Sequence, residues 1–173
     1  MGNCNSPPET STEPVPPPET TMDIGCSPGE EETANEEEEE ESAAVKAIRA
    51  ALSASGIQNY SVDKDRRPPD VIFNFNLSLE NDRYSCVFVH KPEPQHLLIM
   101  LSTSARVPQA KRERAAVYFS HVNFGMSLGN FELDMSDGEV RFKISGSFRG
   151  TTLSSEAATE MFAIGVAMTE RVS

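Results

Sequence analysis

Residues 128–148 read LGNFELDMSDGEVRFKISGSF, and this stretch decides the fold. Phe131, Leu133 and Met135 alternate with Glu132, Asp134 and Ser136, the period-two pattern of a strand with one buried face. Asp137-Gly138 follows, a pair that readily supplies the positive-φ positions of a tight turn. Val140, Phe142, Ile144, Gly146 and Phe148 then alternate with Glu139, Arg141, Lys143, Ser145 and Ser147. The spacing predicts a β-hairpin with one apolar face and one charged face.

Working outward, Val71, Phe73, Phe75, Leu77 and Leu79 predict a long amphipathic strand, and Arg83–His90 a second. His96–Thr103 predicts a third. Its Leu97-Leu98-Ile99-Met100-Leu101 core is apolar on both faces, as expected of a central strand covered on both sides or one facing a second copy. Between this strand and the hairpin, Pro108 suits the start of a helix, Ala115, Phe119 and Val122 continue at helical spacing, and Gly125 closes it. Before the strands, Val45, Ile48 and Leu52 form a stripe among alanines, stopped by Gly56 with Ile57 as its apolar contact. After the hairpin, Ser154 is the expected N-cap of a last helix striped by Ala157, Met161, Ile164, Met168 and Val172. Asp63–Pro69 reads as a polar turn. The predicted fold is α+β, in the order α-β-β-β-α-β-β-α, with an antiparallel sheet and helices on one of its faces.

Residues 1–41 read differently. They carry thirteen carboxylates and no Lys or Arg, leaving fourteen acidic against fifteen basic residues beyond, so the net −12 divides into −13 and +1. Prolines and glutamate runs with few apolar groups predict a disordered acidic tail over 1–41, ahead of a folded domain over 42–173. A nearly neutral body without a Lys/Arg cluster argues against a nucleic-acid surface. Lys111, Arg112 and Arg114 read as a solvated helix face.

The chain opens on Met1-Gly2-Asn3-Cys4-Asn5-Ser6, the N-myristoylation pattern, with Gly2 as the acylated residue. One myristoyl chain binds a membrane only marginally, and an acidic tail supplies no polybasic second signal, so Cys4 is the candidate for palmitoylation. Cys4, Cys26 and Cys86 form no disulfide framework or zinc spacing. No secretory signal and no apolar run of membrane-spanning length is evident. The expectation is a cytoplasmic protein, held by acyl chains on the cytoplasmic face of a membrane.

Chemistry is sparse. His90 and His96 flank one turn without a carboxylate or cysteine at ligand spacing, and His121 lies on a helix face. Glu132, Asp134, Asp137 and Glu139 fall on the outward face and around the turn, where solvation is the simplest role. No phosphate loop and no nucleophile motif is present. The expectation is therefore no enzyme, with no catalytic, cofactor-binding or metal-binding residue.

Residues 97–172 resemble the YbjN family, a group similar in fold to type III secretion chaperones. The resemblance rests on Arg106-Val107-Pro108, Val122-Asn123, Leu128-Gly129-Asn130-Phe131-Glu132-Leu133-Asp134 and Asp137-Gly138-Glu139-Val140-Arg141-Phe142. Leu153-Ser154-Ser155-Glu156 stands where the family tends to have Leu-Thr-Pro-Glu. The resemblance implies a sensory or regulatory role and no catalytic residues. Secretion chaperones of this fold are small acidic dimers that hold partner segments on apolar surface. Here the acidity lies in the tail, which departs from that pattern. The first expectation is thus a non-enzymatic interaction and regulatory module, with an unidentified protein partner and a homodimer as its assembly. The alternative is a small-ligand sensor with a pocket between sheet and helices.

Overall fold

The computed structural model describes residues 41–79 and 82–172. The predicted tail over 1–41 lies outside these except for Glu41. The chain forms α1 (Ala43–Ala54), β1 (Ser61–Asp63), β2 (Val71–Ser78), β3 (Arg83–Lys91) and β4 (His96–Arg106), then α2 (Arg112–Phe124), β5 (Asn130–Leu133), β6 (Glu139–Ser147) and α3 (Ser155–Val172). The six strands make one antiparallel sheet in the order β1-β2-β3-β4-β6-β5. The α+β class and element order stand as predicted, with one addition. Ser61–Asp63 pairs with the start of β2 as a short edge strand, inside a segment too polar and too brief to show a strand period.

Each predicted terminus has a physical cause. The Ser42 hydroxyl accepts from the Val45 N–H and starts α1. Gly56, at φ 75°, lets the Ile57 N–H reach back to the Leu52 carbonyl and ends it. Ser154 caps α3 by accepting from the Ala157 N–H. Before α2, Pro108 opens a single 3-10 turn over Gln109–Lys111 rather than the α-helix itself.

One sheet face carries the core. Phe73, Tyr84, Phe88, Leu97, Ile99 and Phe142 are wholly buried there, under α1 and α3. Phe75, Phe88 and Phe162 form an aromatic triangle with centroids 5.5–5.8 Å apart, joining β2 and β3 to α3. At Gly165, α3 approaches so closely that an added Cβ would lie 2.8 Å from Leu101 Cδ1. Cys86 is buried and free, and burial pushes its thiol up to about 12.

β4 is central, as its apolar run predicts, but only one side of it is covered. Leu97, Ile99 and Leu101 face the helices, while Leu98 and Met100 lie half-buried on the far face beside Ile72, Val87 and Val89. None of the described helices packs on that face. The polar half of the face holds the hairpin's charges. Burial pushes the Glu132 carboxyl up, but hydrogen bonds from Lys143 and Arg141 outweigh it and hold the group below the ordinary carboxylate range.

The hairpin departs from prediction at its tip. The strands end at Leu133 and Glu139, and residues 134–138 form the loop, with Gly138 at φ 85°. The Asp134 carboxylate accepts from the Ser136 N–H and hydroxyl, and that of Asp137 accepts from the Glu139 N–H. These side-chain turns widen the loop beyond two residues. Met135 therefore leaves the apolar face and stands 49% exposed.

A candidate partner-binding groove

Gly2 and Cys4, the residues singled out for acylation, lie outside the described residues. The candidate site of the folded domain is built around α2, which packs chiefly on the edge strand β5. Three attachments hold it. At its start, the Arg112 guanidinium donates to the Val107, Met135 and Ser136 carbonyls, at 3.1, 3.1 and 2.9 Å. In its middle, Phe119 stacks on Phe131 with centroids 5.5 Å apart. Near its end, the Asn123 amide pairs with the backbone of Phe131. Its Oδ1 accepts from the Phe131 N–H at 2.8 Å, and its Nδ2 donates to the Phe131 carbonyl at 2.9 Å.

Asn123 thus occupies the outward backbone groups of β5, as a neighbouring strand would. β5 lies at the edge of the sheet, and at this point a side chain blocks that edge from pairing with another strand. Arg112 likewise departs from the solvated role read for it. Two of its three acceptors, the Met135 and Ser136 carbonyls, lie more than twenty residues away, which no local charge pattern reveals.

Because α2 is fixed at the sheet edge, a trough opens between its inner flank and α3. A hollow of about 700 Å³ lies toward the start of α2, floored by Phe119, Phe131, Val140 and Phe142. A second of about 430 Å³ lies toward its end, between Met126, Leu128 and Met168. The two share Phe131 and Val172. The lining is mostly apolar, and the buried Thr169 hydroxyl in its wall donates to carbonyls of its own helix. Lys111 and Arg114 stand on the lip of the first hollow and Arg171 on that of the second. None of the three forms an ion pair among the described residues, whereas Arg106 nearby is engaged with Asp137 and Glu139.

The exposed apolar residues cluster here as well. Tyr118 is 51% exposed at the mouth of the trough, while Val117 at 59% and Phe124 at 94% point away from it. The stripe of Ala115, Phe119 and Val122 shows which side of α2 turns inward, but not that the sheet beneath is too narrow to fill that side. The signal present in the sequence is that Val117 and Phe124 fall on the opposite side of the helix from this stripe, while Tyr118 borders it.

A smaller cavity of about 250 Å³ lies at the opposite end of the sheet, beside the start of α1. His90, 6% exposed, lines it with an unpartnered Nδ1. Burial lowers the His90 pKa, and the charge of Asp70 works against that shift. His96 pairs with Lys91 across the turn, so alternation sends it to the face opposite His90. The two histidines that flank this turn do not converge. His121 is exposed on α2, as its helix spacing suggests.

Such a trough can bind, with apolar area as driving force and cations to orient a guest. A search of the curated proteins found no match to the chain. The YbjN family model, described as "Putative bacterial sensory transduction regulator", matches residues 44–173, from the first turn of α1 through α3. That span takes in every element of the sheet and both walls of the trough, and the chain belongs to the YbjN family.

Proposed function

We propose that this protein is a non-enzymatic regulatory module that receives a segment of a partner protein in the trough between α2 and α3. In this reading, acyl chains on Gly2 and Cys4 hold the module at the cytoplasmic face of a membrane. The observation that carries the proposal is the trough itself, a mostly apolar hollow whose floor is the margin of the core. The family's description as a transduction regulator supports the regulatory part.

A photoreactive amino acid at Ala115, inside the trough, and a second at Ser85, on the far sheet face, test the binding part. A defined protein adduct at position 115 but not at 85, followed by reconstitution with the purified partner, is the expected result. Equal labelling at both positions refutes the trough as the site. A copurifying small molecule found by native mass spectrometry, displaced from the trough by a Trp at position 115, would instead favour a ligand sensor. The membrane part is tested by intact mass and fractionation of the wild type beside Gly2→Ala. An acyl mass increment, and membrane association lost in the variant, are expected.

A second copy is favoured as an additional partner by one observation. Phe124, 94% exposed, faces away from the trough and can be covered without filling it. Light scattering should then give a dimer that Phe124→Asp converts to a monomer.

A further inference from the structure

We infer that the segment received by the trough is an amphipathic helix with acidic flanks. This rests on the proposal that the trough binds a protein segment, and it adds which kind.

The helical form follows from backbone chemistry. An extended segment brings a row of N–H and C=O groups that must be paired once buried. The trough offers few such partners, because its lining is mostly apolar side chains. The one strand edge beside it is already occupied at Phe131 by the Asn123 amide. A helix satisfies its own backbone and presents only side chains, so it suits a wall of this kind. The dimensions agree. The trough follows α2, whose thirteen residues span about 20 Å, room for a guest of three to four turns. It also stays open along one side, whereas a small-molecule site usually encloses most of its ligand.

The acidic flanks follow from the lips. Lys111 and Arg114 stand at one end and Arg171 at the other, all exposed and none in an ion pair among the described residues. Arg112, on the same helix, is tied to three carbonyls and is not available. Asp82 and Arg106 also line the first hollow, and with both counted the local charge facing a guest is still cationic at both ends over an apolar floor. A guest with an apolar stripe and carboxylates on either side complements this, and a basic one does not. The tail of the chain itself supplies the carboxylates but not the stripe, since between Glu30 and Glu41 it has only Ala34 among apolar residues.

The test uses the full-length protein and three labelled synthetic peptides. The first is a four-turn amphipathic helix with leucines at i, i+3, i+4 and i+7 and glutamates flanking them. The second replaces its glutamates by lysines, and the third breaks the helix with a central proline. Fluorescence anisotropy should show saturable binding of the first peptide, weakening with added salt, and at least roughly tenfold weaker binding of the other two. The Lys111→Glu/Arg114→Glu variant should melt like the wild type, lose roughly tenfold for the first peptide and gain for the second. Binding of the lysine peptide as tight as the glutamate peptide overturns the charge assignment. Equal binding of the proline peptide overturns the helical form, and so does binding of none of the three. The trough reading has its own decision, the adduct at position 115, and survives any of these failures.

Discussion

Asn123→Ala removes both hydrogen bonds that tie α2 to the outer edge of β5 without touching the core. Each bond is expected to contribute about 0.5–1.5 kcal/mol net. Both are only part-buried, so water can reach the freed groups and the loss should stay near about 1–3 kcal/mol in total. For a domain of this size that is a fall in Tm of roughly 5–10 °C. The loss should also be local. By hydrogen exchange, the amides of α2 and β5 should lose protection while those of β3 and β4 keep theirs. Asn123→Asp separates the two bonds. It keeps an acceptor for the Phe131 N–H but sets a carboxylate against the Phe131 carbonyl, so it should fall at least as far as the alanine variant. A wild-type melt for Asn123→Ala, or protection lost evenly across the sheet, would refute the assignment of Asn123 as the latch of α2.

Three further outcomes are expected. Phe142→Ala empties the centre of the core and should destabilise by about 3–5 kcal/mol in chemical denaturation. Cys86, with its thiol pushed up to about 12, should resist alkylation at pH 8 in the native protein and react at once on unfolding, with mass spectrometry as readout. His90 is held below the ordinary histidine range by burial, so the unfolded chain binds its proton more readily. Thermal stability should therefore decline as pH falls from about 7.5 toward 5.5, beginning near the unfolded value of about 6.5. His90→Gln should flatten that decline, and an unchanged slope would show that other groups cause it.

How much of this was legible beforehand depends on what each residue answers to. Phe131, Val140, Phe142 and Ile144 answer to the pleat of their own strand, and alternation alone places them in the core. Met135 answers to the loop built by the Asp134 and Asp137 carboxylates, and alternation places it wrongly. β1 is too short to show a period and exists because β2 gives it a partner. The trough is the least legible feature. It arises where α2 stands relative to α3, and that is fixed by Arg112 reaching the Met135 and Ser136 carbonyls and by Asn123 pairing with the backbone of Phe131, contacts that only the folded hairpin creates. The lip cations were visible as residues, but their role depends on which arginines are already engaged. The acylation pattern at Gly2 and Cys4 is legible in the sequence alone and lies outside the described residues.

The strand order carries a consequence for the ribosome. β6 lies between β4 and β5, so the long apolar strand β4 has no neighbour on one side until Ser147 has emerged. Its helix-facing residues wait longer still, for α3 at the end of the domain. At ordinary elongation rates, the residues between Arg106 and Ser147 take roughly 2–8 s to make. Through that interval the nascent chain presents its stickiest edge unprotected. The early half of this domain is a natural client for whatever shelters emerging polypeptides.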